Sequence, residues 1–158
     1  MSPYFPQREA DLNPIEIFRK KFETYRKVLD EAGEQKAWDV LFDGYPERQR
    51  KNMSRIETAS LVDAFSEAIE TYKQIGMEMD VYDISSNGKD AVIEVQKICP
   101  AMDIAKEFGF DKPCKVICEM DMAATQIAFA DQNMQISILC RQADGDCVCI
   151  FKYERPLK

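Results

Sequence analysis

The residues in this chain best suited to chemistry are its six cysteines: Cys99, Cys114, Cys118, Cys140, Cys147 and Cys149. All of them lie after residue 98, and the chain has no histidine. A transition-metal site would therefore have to be built from thiolates, carboxylates or backbone, and proton transfer would fall to Asp, Glu, Cys, Lys or Tyr. Cys114 and Cys118 are four apart on an expected helix and share a face. Cys147 and Cys149 are two apart on an expected strand and point to one side, with Cys140 across the preceding turn. These positions allow Cys99, Cys118, Cys140 and Cys149 to converge. Four sulfurs suit tetrahedral zinc, with a 4Fe-4S cluster as the alternative. The competing reading is that these are buried thiols packing as small hydrophobes. No pair follows the C-x-x-C spacing of a zinc ribbon.

The elements that must position these residues follow from periodicity. Ile15, Phe18, Phe22, Tyr25 and Leu29 form the stripe of a helix from Asn13 to about Ala32, with Asn13 as N-cap, Pro14 at its first position and Gly33 at its end. A shorter helix around Gln35 to Phe42 carries Trp38 and breaks at Gly44, Tyr45 and Pro46. The helical period then runs from Ile56 through Leu61, Phe65, Ile69, Tyr72 and Ile75 to Gly76. This first half reads as scaffold. After Gly76 the alternation Met77, Met79, Val81 predicts a strand, and Ser85 to Gly88 a hairpin turn. The second strand, Ala91 to Cys99, ends at Pro100. Helices over Ala101 to Phe108 and Pro113 to about Phe129 follow, the latter burying Val116, Ile117, Met120, Ala124 and Ile127. Strands Met134 to Arg141 and Cys147 to Tyr153 close the chain around the turn Ala143 to Asp146. The fold class is α+β: N-terminal helices packed on a C-terminal antiparallel sheet with two inserted helices. One domain is expected over 1–158, with a helical layer at 1–76 and the strands and cysteines at 77–153.

Composition narrows the function. The 158 residues are 46% hydrophobic, enough for one ordinary core. The net charge of −7, without a Lys/Arg block, argues against nucleic acid as a partner. No apolar run approaches the roughly 20 residues of a membrane span. The first residues lack the basic start and apolar middle of a secretory signal, so a cytoplasmic location with reduced thiols is expected. The expected partner is a small-molecule ligand, and a homodimer is compatible with the sequence.

Between Ala91 and Tyr153, the Cys99-Pro100 pair, Cys118-Glu119-Met120-Asp121, and Gly145-Asp146 followed by Cys149-Ile150-Phe151 resemble the L-2-amino-thiazoline-4-carboxylic acid hydrolase-like family. The same stretch is similar to the 4-vinyl-reductase-type small-molecule-binding domain. The resemblance covers the C-terminal half. It implies a 4-vinyl-reductase-like fold with Cys118, Cys140 and Cys149 as inherited zinc ligands. Ser137 stands where that domain has a ligand glutamate, and Cys99 could supply the fourth sulfur. As a hydrolase opening a carbon–nitrogen bond, the chain would use Cys118 as nucleophile or ligand and Asp121 or Asp146 as proton carrier. The aspartate of a Gly-Asp turn is more often structural, so Asp146 is expected mainly to form the turn. A closed four-cysteine shell leaves zinc no open position for catalysis.

Overall fold

The computed structural model describes residues 14–74, 76–113, 115–146 and 148–157. Asn13, Ile75, Cys114 and Cys147 lie outside them, and so do the roles expected of these residues. Helix α1 (Pro14–Ala32) buries Phe22, Tyr25 and Val28, and α2 (Glu34–Phe42) buries Ala37, Val40 and Leu41 against it. Trp38 stacks on Phe42 at the margin of this core, with ring centroids 5.5 Å apart.

The next stretch departs from the expectation of a break followed by one long helix. Tyr45 and Pro46 open a helix, α3 (Tyr45–Asn52), instead of ending one. Pro46 sits in its first turn, where the missing N–H costs nothing, and Gly44 supplies the left-handed φ of 70° at its N-cap. Three short helices follow: α4 (Arg55–Thr58), α5 (Leu61–Glu67) and α6 (Ile69–Lys73). The interruption before α5 is held in place. Ala59 is extended, the Ser60 hydroxyl accepts from the Asp63 amide, and the Asp90 carboxylate accepts from the Leu61 amide at 3.2 Å. Asp90 forms a buried ion pair with Arg155 at 2.9 Å, and Arg155 also donates to the carbonyls of Ile56 and Ala59. Polar groups of the sheet thus satisfy the backbone left open between α4 and α5.

The sheet is fully antiparallel, in the order β1-β2-β4-β3. Its strands are β1 (Glu78–Asp83), β2 (Lys89–Ile98), β3 (Gln135–Cys140) and β4 (Cys149–Pro156). On β4, Cys149, Phe151, Tyr153 and Arg155 are buried while the residues between them are partly exposed, so the strand packs one face inward. On β2 the matching inward residues are Asp90, Val92 and Glu94, paired across the ladder with Arg155, Tyr153 and Phe151. A bulge between Ile138 and Cys140 shifts the register at the β3 edge.

Helix α7 (Ala101–Glu107) follows β2, and then comes a π-helical turn (Lys115–Glu119) that leads into α8 (Met120–Ala128). Eleven residues make about three α turns, so a regular helix would put Val116 and Ile127 on one face. The wider π turn rotates less per residue and carries Ile127 off that face. Ile127 is 57% exposed, while Met120, Ala124, Thr125 and Ala128 are buried. The α+β class and the helix-on-sheet arrangement agree with the sequence. Among the described residues no helix is long and apolar enough to cross a membrane.

Candidate functional site

The sheet's inner face and the surrounding helices enclose a chamber of about 110 Å³. Both residues expected to do chemistry, Cys118 and Asp121, line it; Cys118 stands on the π turn and Asp121 one turn further on α8. Asp121 is held firmly. Its Oδ1 accepts from the Tyr45 hydroxyl at 3.0 Å and from Gln49 Nε2 at 2.9 Å. Gln49 Nε2 also reaches Thr125 Oγ1 at 2.9 Å, and the Thr125 hydroxyl donates to the Asp121 carbonyl at 2.8 Å. Lys21 Nζ donates to Tyr45 Oη at 2.7 Å, which brings a positive charge close to this network. Burial pushes the Asp121 carboxyl up. The Lys21 charge and the hydrogen bonds from Tyr45 and Gln49 pull against that rise without cancelling it.

The second carboxyl of the chamber is Glu94, an inward residue at the middle of β2, 5% exposed. Its Oε1 accepts from Gln96 Nε2 at 2.7 Å. Burial is the main cause that pushes it up to about 7. The Gln96 hydrogen bond opposes the shift, and the nearby Asp121 charge adds to it. A carboxyl in that range takes and releases protons at neutral pH, as acid–base chemistry requires. Tyr45, Tyr72 and Tyr153 also line the chamber, and burial together with the Asp121 charge, joined by Glu94 for Tyr72 and Tyr153, raises all three phenols. They therefore stay protonated as hydrogen-bond donors, and the Tyr153 hydroxyl meets Met122 Sδ at 3.6 Å.

A wider groove of about 400 Å³ runs between α3, α4, α5 and α6. It shares Gln49, Met53, Phe65, Tyr72 and Asp121 with the chamber, so these five residues stand between the two. The helical half is therefore more than scaffold: α1, α3, α5 and α6 supply Lys21, Tyr45, Gln49, Phe65 and Tyr72 to the chamber wall.

The four sulfurs expected to converge take different places. Cys99 lines the chamber beside Cys118 and is close enough to Cys149 to feel its charge. Burial pushes the Cys99 thiol up, partly countered by the amides of Ala101 and Met102 at the start of α7. Cys149 is buried in the core and accepts from the Gln142 amide at 3.3 Å, whereas Cys140 donates to the Val148 carbonyl at 3.4 Å. Among the described residues no group of three or more Cys, Asp or Glu stands in a geometry that could hold a metal ion. Cys99 and Cys118 share the chamber wall, while Cys140 and Cys149 each bond to backbone between β3 and β4. Asp146 has the turn role expected of it, accepting from the Arg141 amide at 3.3 Å beside Gly145, whose φ of 97° suits glycine.

Fold and site together define an α+β protein with a four-stranded antiparallel sheet and an acidic internal chamber against its inner face. The chain belongs to the L-2-amino-thiazoline-4-carboxylic acid hydrolase family, whose model matches residues 15–153. The family therefore extends well beyond the C-terminal half, taking in α1 and the helices that line the groove. Among solved structures, the phenol-responsive sensory domain of the transcription activator PoxR, determined with phenol, shares the fold with a TM-score of 0.53. It is 10% identical, and the alignment covers 87% of this chain and 74% of that one. No curated protein matches the sequence.

Proposed function

We propose that the chamber binds a small organic molecule, and that the chain hydrolyses a carbon–nitrogen bond of a small heterocyclic acid, as its family's name describes. The observation that carries this reading is that Cys118 and Asp121, one helical turn apart, both line one enclosed chamber in which Tyr45 and Gln49 lock Asp121 in place. Support for a ligand-binding role comes from the shared fold of a domain that was solved with phenol.

In this reading the Cys118 sulfur forms a bond to the carbon of the C–N link while its proton passes to the Asp121 carboxylate. Asp121 then gives that proton to the nitrogen as the C–N bond breaks. Water next attacks the same carbon, losing a proton to Asp121, and the carbon–sulfur bond breaks. The proton returns to sulfur and restores both side chains.

The test is incubation with L-2-amino-thiazoline-4-carboxylate and mass spectrometry of the products. A product heavier by one water is expected, with turnover reduced by about 10²- to 10⁴-fold in Cys118→Ala and Asp121→Asn. Binding without turnover would make the chain a binding module, and unchanged turnover in both variants would remove these residues from the chemistry.

A further inference from the structure

Glu94 is a charged residue placed where a strand normally buries an apolar one. It follows Val92 on the inner face of β2, opposite Phe151, and is 5% exposed. Among the described residues its carboxylate has one hydrogen-bond donor, Gln96 Nε2, on Oε1, and no cation within ion-pair distance. Lys21, the cation of the chamber wall, is bonded to Tyr45 and sits with the Asp121 network. A buried carboxylate with a single neutral donor is costly, and proteins usually satisfy such a group by pairing it. The second oxygen, Oε2, accepts no hydrogen bond from the described residues, and Glu94 lines the chamber.

We infer that Glu94 is the specificity-determining residue of the chamber, selecting ligands with a cationic, N–H-rich head such as an amidinium group. Two parallel N–H donors on one planar cation match the two oxygens of a carboxylate, with Gln96 able to yield or share Oε1. The head would be small, since the chamber, at about 110 Å³, falls below the usual range of about 300 to 1,000 Å³ for small-molecule pockets. The neighbouring tyrosines and Phe151 lower the local polarity, and low polarity strengthens a charge-assisted pair. This inference rests on the reading of the chamber as a ligand site and adds which chemistry that site selects.

Acetamidine and acetamide are the probes: they share heavy-atom shape, and only the first is a cation. Binding is followed by NMR of methyl-labelled methionine, with Met122 as the reporter in the chamber, at mildly alkaline pH. Acetamidinium is expected to bind about tenfold or more tightly than acetamide, and Glu94→Gln to abolish that preference while leaving acetamide binding in place. Equal binding of the two probes to the wild-type chamber would overturn the cation selectivity and leave the chamber standing as a ligand site. A preference that survives Glu94→Gln but is lost in Asp121→Asn would move the cation to the other carboxyl and overturn the assignment to Glu94. If neither probe perturbs Met122, both the selectivity and the chamber reading fail together.

Discussion

Replacing Glu94 by Gln removes a titration without changing the side chain's shape, and its effect on stability can be worked from burial. An exposed glutamate titrates near 4.5, and Glu94 in the folded chain titrates near 7. Between those values the folded protein keeps a proton that the unfolded chain has released. The neutral carboxyl's contribution is thus complete below the lower value, declines as pH rises through the window, and levels off above the upper one. At about 1.4 kcal/mol per pH unit, the wild type loses about 3 kcal/mol across the window relative to a residue that cannot ionise. Asp121 is raised too and adds a decline of its own, so the informative quantity is the difference between wild type and variant. Tyr72 and Tyr153, which face Glu94 from α6 and β4, stay neutral throughout and do not distort it. Urea unfolding of both proteins from pH 4 to 8.5 should give curves that coincide at the acid end and separate by about 3 kcal/mol at the alkaline end. The variant would be the more stable there, with a melting temperature higher by about 6 to 12 °C for a chain of this size. Parallel curves would refute the argument, because Glu94 would then titrate alike in the folded and unfolded states.

Arg155→Ala leaves Asp90 buried without its charge partner and strips donors from the Ile56 and Ala59 carbonyls; a loss of about 3 to 5 kcal/mol in urea unfolding is expected, and less than 1 would deny the pair a structural role. Tyr45→Phe removes a hydrogen bond that favours the ionised Asp121, so the carboxyl titration followed by carbon-detected NMR should move further up, and a downward movement would contradict the assigned donor. Elemental analysis of protein purified without air decides the four-sulfur site: one zinc per chain, lost on Cys118→Ser, is the result that site requires, and zinc and iron well below one atom per chain would leave the sulfurs as packing thiols. Met120→Ala, at a fully buried position under the chamber helix, should cost about 2 to 5 kcal/mol in thermal or urea unfolding, and near-neutral behaviour would mean that the surrounding core collapses to fill the space.

Much of the fold is legible in the sequence because its signals are local. The stripe of α1, the alternation of Met77, Met79 and Val81 into β1 and the Ser85 to Gly88 turn each depend on neighbours a few residues apart. The three short helices after α3 are a different case. Their break depends on Asp90, which meets the Leu61 amide from a strand remote in sequence, and the periodicity through Leu61 and Phe65 carries no trace of that contact. Cys118 and Asp121 were legible as a helical pair. Glu94 was missed because the run Ala91 to Val95 reads as a buried strand, yet its parity with Val92 puts a carboxyl on the inner face, and a charge at an inward strand position is the signal that could have found it. Tyr45 and Gln49 are hidden in the sequence because Pro46 has the look of a helix breaker and yet opens α3. Tyr72 reads as part of an apolar stripe, yet its phenol lines the chamber close enough to Glu94 and Asp121 to feel their charge. For the sulfurs, the backbone bonds that Cys140 and Cys149 make between β3 and β4 depend on the strand register at the bulge, which spacing alone does not carry.

The shared residues Gln49, Met53, Phe65, Tyr72 and Asp121 stand between two compartments of unequal size. In the proposed reading, a ligand with its head in the chamber and its tail in the groove would be held closely at the head alone, since the groove is nearly four times larger, as 400 Å³ stands to 110 Å³. Such a geometry sorts by head and tolerates variation in the tail. A set of compounds sharing one polar end would be treated as equivalent, and drift at the groove's rim could widen or shift that set without touching the buried carboxyls.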